Sequence, residues 1–99
     1  MKIRDIIGQE KATLSFEVFP PKKDTDFASV EAAALGIAAL RPSYMSVTYG
    51  AGGSTKGHTI KLANEIQEKY GVPTIAHLTC VCANKDSIRT ALSEMKNAG

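Results

Sequence analysis

Glu17, Thr48 and His77 have side chains suited to proton transfer and hydrogen bonding, and they lie 31 and 29 residues apart. That interval is the length of one βα unit with short loops. The carboxyl group of Glu17 stands among Phe16, Val18 and Phe19. A carboxyl group in such company is expected to be poorly solvated, which would raise its proton affinity and suit it to general-acid work near neutral pH. The bland alternative is a structural pair with a lysine from a later strand.

Short β-prone runs and helical patterns alternate along the chain. Thr13 to Phe19 reads as a first strand and is stopped by Pro20-Pro21, a rigid exit that would fix Glu17 just before it. Phe27, Val30, Ala33, Ala34, Ile37 and Leu40 recur at helical spacing, with Asp26 placed as cap and Pro42 as terminator. Gly36 within that helix costs about 1 kcal/mol relative to alanine. Tyr44 to Tyr49 reads as a second strand. It is followed by a helix bearing Ile60, Ala63, Ile66 and Tyr70 and ended by Gly71 and Pro73. Thr74 to Val81 reads as a third strand, and a last helix begins near Asn84, with Ile88, Ala91, Leu92 and Met95 on one face. Strands joined by crossover helices pair in parallel, so the fold class is α/β, in one domain over residues 1–99.

Strand side chains alternate between faces. Leu14, Phe16 and Val18, then Met45 and Val47, then Ala76, Leu78 and Cys80 form an apolar face; Ser15, Glu17, Ser46, Thr48, His77 and Thr79 form a polar stripe on the other. A sheet covered by helices on both faces is normally apolar both ways, and a buried unpaired polar group costs about 1–3 kcal/mol. In a (β/α)8 barrel, inward positions at the carboxyl ends of the strands line the active site, which would account for the stripe. Ser15 and Ser46 can equally be small packing residues, and Thr48 a β-branched strand residue.

Other signals are weaker. Gly50 to Thr55 follows a strand and opens a helix, so its backbone N–H groups suit a phosphate. It matches neither the P-loop nor the dinucleotide fingerprint, and a plain turn is the competing reading. His77, Cys80 and Cys82 invite a zinc reading, but His77 and Cys80 would point to opposite faces of a regular strand, so no metal is expected. Cys80 reads instead as a small buried hydrophobe. The two cysteines are separated by one residue, a poor geometry for a mutual disulfide, and point to a reducing cytoplasm. The net charge of +2 comes from twelve basic and ten acidic residues without a block of one sign, which gives no footprint for nucleic acid. Charges at Lys2, Arg4, Asp5, Glu10 and Lys11 interrupt any secretory signal, and no window reaches the roughly 18 apolar residues of a membrane span. The expected partner is a small molecule.

Ser15-Phe16-Glu17-Val18-Phe19-Pro20-Pro21-Lys22, Ser46-Val47-Thr48-Tyr49-Gly50-Ala51 and Ala76-His77-Leu78-Thr79-Cys80-Val81 resemble, in order, the first three strand-end motifs of the methylenetetrahydrofolate reductase family. The resemblance covers essentially the whole chain and about three of the family's eight βα units. It implies the first part of a (β/α)8 TIM barrel with bound FAD. The implied reaction reduces 5,10-methylenetetrahydrofolate to 5-methyltetrahydrofolate with NADH or NADPH, in one-carbon metabolism and methionine biosynthesis. On this resemblance Glu17 is the general acid that protonates the folate as its five-membered ring opens to an iminium. Thr48 lies where nicotinamide and pterin stack on the flavin, and Tyr49, Ala51 and His77 match positions that contact FAD. Val18 stands where many members have Phe, and Gly52-Gly53 varies a loop. These residues alone are expected to be inactive, and to form a homo-oligomer or associate with the missing barrel half. Two alternatives stay open: a non-catalytic α/β assembly module, and another barrel enzyme of folate or methyl-transfer chemistry.

Overall fold

The computed structural model describes residues 2–9, 12–50 and 56–99. A parallel sheet in the order β1-β2-β3 organises it, built from Ser15–Val18, Tyr44–Val47 and Thr74–Ala76. Crossover helices α2 (Phe27–Ala38) and α3 (Lys56–Tyr70) connect the strands, α4 (Lys85–Ala98) follows β3, and a short helix α1 (Ile3–Gln9) precedes β1. The fold is therefore α/β with a three-stranded parallel sheet, as the alternation of patterns predicts.

Helices cover one face of the sheet. Val18, Met45 and Val47 project from the strands into a core completed by Ala34 and Ala38 of α2 and by Leu62, Ala63 and Ile66 of α3. Ala34 and Ala38 pack α2 into this core, and the larger Leu62 and Ile66, both fully buried, seat α3 on the sheet. Phe27 ties the two helices together at their amino ends: its ring stacks at a tilt on His58, 5.2 Å between centroids, and lies 4.4 Å under the Lys61 ammonium.

Local signals explain the boundaries. α3 ends where Gly71 adopts φ +65° and its N–H reaches the Gln67 carbonyl at 2.9 Å, a left-handed cap that favours glycine. α4 starts with a reciprocal capping box: Asn84 Oδ1 accepts from the Ser87 N–H at 2.8 Å, and Ser87 Oγ accepts from the Asn84 N–H at 3.0 Å. Asp26 stands at the cap position of α2 but makes no side-chain cap bond. A 3₁₀ turn over Asp24–Asp26 feeds the helix instead, and Ser29 Oγ donates to the Asp26 carbonyl at 2.9 Å.

Several expectations need correction. The third strand stops at Ala76 instead of Val81, because β2 ends at Val47 and pairs it no further than the bond from His77 N–H to the Val47 carbonyl. Beyond it the backbone turns on local bonds, Val81 N–H to Thr79 Oγ1 and Ala83 N–H to the Cys80 carbonyl, with Cys82 at φ 55°. Cys80 is consequently exposed, not a buried hydrophobe. Leu14, placed on the apolar face, is 62% exposed because β1 begins only at Ser15. The amino-terminal residues read for their charges include α1, whose Ile6 is buried. No described helix is long and apolar enough to cross a membrane.

Candidate active site

The face that the helices leave open carries the polar stripe. Parallel register places Glu17 directly beside Ser46, and Ser46 beside Ile75. Glu17, Thr48 and His77 therefore do not form one cross-strand row. Thr48 and His77 follow one residue past the last paired positions, Val47 and Ala76, which sets them about two residues nearer the carboxyl edge than Glu17.

This offset brings three side chains together at one oxygen. Ser46 Oγ donates to Glu17 Oε2 at 2.7 Å. His77 Nε2 stands 3.6 Å from the same oxygen, too long for a hydrogen bond but close enough for an electrostatic contact when the imidazole carries a proton. The Glu17 side chain is 49% exposed and that of His77 42%. Expected burial of Glu17 among Phe16, Val18 and Phe19 is not what the fold produces. Val18 is buried in the core, the half-buried Phe16 packs against it, and Phe19 is 69% exposed beside Val30 and Ala33 of α2, so none of the three covers the Glu17 carboxyl group.

Thr48 is held through its backbone. Its N–H donates to the Val18 carbonyl at 3.0 Å, and its carbonyl accepts from Oγ1 of the fully buried Thr59 at 2.9 Å, a bond that fixes the start of α3 against the end of β2. Tyr49, the next residue, is not brought to Glu17. It borders a cleft of about 330 Å³ with Ile60, Leu78, Ile88 and Ala91, between α3 and α4. Partial burial there pushes its phenol up from the ordinary tyrosine value, so the hydroxyl keeps its proton at neutral pH. Ala51 lies outside the described residues, as does most of the Gly50 to Thr55 phosphate reading.

One arrangement was not foreseen from the sequence. His58 clasps the loop after β1: Nδ1 lies 2.8 Å from the Pro21 carbonyl and Nε2 2.5 Å from Asp24 Oδ1. Both partners are acceptors, a pair that an imidazole satisfies fully only with a proton on each nitrogen. The clasp pins the Pro20-Pro21 exit of the Glu17 strand to α3. The available signal was a histidine one turn into a helix facing a proline-rich loop, which sequence spacing alone does not single out. Among the described residues, no three of His, Cys, Asp or Glu gather as a metal site.

Chemically, the open face presents a carboxyl group with one oxygen held by a neutral hydroxyl and faced by an imidazole. Such a group can hold and release a proton toward a ligand lying on the sheet. A family model described as methylenetetrahydrofolate reductase matches residues 2–99. The chain belongs to the methylenetetrahydrofolate reductase family. Among curated members, methylenetetrahydrofolate reductase (NADH) 1 of Zea mays is 36% identical over 98 residues, which are 99% of this chain and 16% of that protein. The 5,10-methylenetetrahydrofolate reductase of Salmonella typhimurium is 32% identical over 91 residues, 92% of this chain and 31% of that protein. The protein of the same description from Escherichia coli is 31% identical over 102 aligned positions, 97% of this chain and 34% of that protein. The chain thus spans between about a sixth and a third of the length of these reductases.

Proposed function

We propose that these residues are the first three βα units of a reductase barrel that converts 5,10-methylenetetrahydrofolate to 5-methyltetrahydrofolate, with Glu17 as the acid. The observation that carries this reading is the convergence of Ser46 Oγ and His77 Nε2 on Glu17 Oε2, on the sheet face that no described helix covers. A sheet face that only met solvent would need polar residues, but not a serine hydroxyl and an imidazole both directed at one carboxylate oxygen.

In the reaction, the O–H bond of protonated Glu17 breaks. Its proton goes to the folate nitrogen whose C–N bond opens, and Glu17 is left as a carboxylate. Ser46 stabilises that negative charge as it develops by hydrogen bonding, and a protonated His77 would add an opposite charge 3.6 Å from Oε2. The donor set fits a flat heteroaromatic cofactor: Thr48 and His77 bring a hydroxyl and an imidazole to the carboxyl edge of an uncovered face, which suits FAD. When bound, FAD would supply hydride transfer from NADH or NADPH to the folate. Tyr49 and Ala51 are assigned to FAD contact by family resemblance alone.

Among the described residues β1 and β3 have no further strand on their outer sides. Such edges favour pairing with the remaining strands of a barrel, in the same chain or an associating one. The two exposed free thiols, Cys80 and Cys82, support a reducing cytoplasm as the setting. The test is spectroscopic. A reductase carrying these residues as its first barrel units should purify with flavin absorbance that NADH or NADPH bleaches and methylenetetrahydrofolate restores. A colourless protein that forms a stable dimer would point to an assembly module instead.

A further inference from the structure

Resting on the reading of Glu17 as the acid, we propose that Ser46 is its positioning residue: by holding Oε2 it fixes the carboxyl plane and leaves Oε1 as the oxygen that delivers the proton. The sheet itself sets this contact. Glu17 and Ser46 are register partners of adjacent parallel strands, so the hydroxyl rises from β2 at the level of the carboxyl group and meets Oε2 at 2.7 Å. His77, just past the end of β3 on the same face, stands 3.6 Å from the same atom. No described residue is bonded to Oε1. The two oxygens are therefore inequivalent before any ligand arrives: Oε2 is tied to Ser46, and Oε1 bonds to no described residue.

The chemistry follows from what each protonation state asks of the bond. With the proton on Oε1, Oε2 is the carbonyl oxygen of a carboxylic acid and accepts an ordinary hydrogen bond from Ser46. As the O–H bond at Oε1 breaks and its proton passes to the folate nitrogen, the electron pair left behind spreads over both oxygens. The Ser46 bond then becomes charge-assisted, roughly doubling in strength. Ser46 thus favours the carboxylate product of the step more than the acid, and its loss makes Glu17 a more reluctant donor. The titratable group facing Glu17 from the neighbouring strands is His77; its neighbours Ser15 and Ser46 are uncharged.

The experiment uses the 99-residue chain labelled with carboxyl-¹³C glutamate, following the Glu17 resonance through a pH titration. Ser46→Ala is compared with the unsubstituted chain and with Ser46→Thr, which keeps a hydroxyl, and the set is repeated on a His77→Gln background so that imidazole charge does not move the curve. The titration midpoint of Glu17 is expected to rise by about half a pH unit or more in Ser46→Ala, on both backgrounds, and to return toward the original value in Ser46→Thr. An unmoved midpoint in Ser46→Ala overturns the proposal. So does a Ser46→Ala chain that fails to fold while Ser46→Thr folds with a shifted midpoint, since Ser46 would then be a packing residue. Should Glu17→Gln leave folate reduction intact in the assembled reductase, the acid reading fails while this titration difference can still stand, so the two failures are separable.

Discussion

Replacing Glu17 by glutamine in the assembled reductase should slow folate reduction about 10²- to 10⁴-fold, the range a positioned general acid contributes, and leave flavin reduction by the nicotinamide within a few-fold of its original rate. The asymmetry is the informative part. Glutamine keeps the shape of the side chain and an oxygen that can accept from Ser46 Oγ, so the 2.7 Å contact survives in kind. What disappears is the transferable proton, needed where a C–N bond of the folate opens but not where hydride passes from nicotinamide to flavin. Stopped-flow measurement of the two half-reactions separates them. Equal loss of both would show that residue 17 shapes the flavin site and does not act as acid.

The second large effect lies in the core that holds the strands in register. Leu62 is fully buried in the cluster with Met45, Val47 and Ile66. Leu62→Ala should cost about 3 kcal/mol and lower the melting temperature by roughly 12–24 °C, because the removed methyl groups leave a cavity that the sheet cannot close without bending. Leu40, in the turn after α2 and 76% exposed, provides the comparison: Leu40→Ala should stay within about 0.5 kcal/mol. Thermal unfolding followed by circular dichroism checks both. Similar shifts for the two variants would mean that α3 is not packed on the sheet as described.

Sequence periodicity conveyed the strand and helix order because each pattern was long enough to declare its period, as the Ile60, Ala63, Ile66 series does for α3. It also conveyed which strand residues share a face, since alternation is a property of the backbone. It could not convey register. Aligning Glu17 with Thr48 and His77 by unit length alone misses by about two residues, and that shift makes Ser46 the partner of the carboxyl group. Nor could it convey how far a strand runs: Val81 is β-prone, yet without a paired neighbour the chain turns at Val81 and Cys82. The buried environment expected for Glu17 was inferred from its neighbours in sequence, but solvation depends on what lies over the sheet. The described residues supply no layer there, so Glu17 is half exposed.

On this reading, chemistry takes place over the face that the described helices leave open, with Glu17 meeting the substrate directly. A crystal structure of the assembled reductase with bound folate measures this without intermediaries. The prediction is a folate nitrogen within about 2.6–3.2 Å of Glu17 Oε1, or reached through one water, while Ser46 keeps its hold on Oε2. A folate seated on the helix-covered side, or with Glu17 turned away from it, would contradict the account.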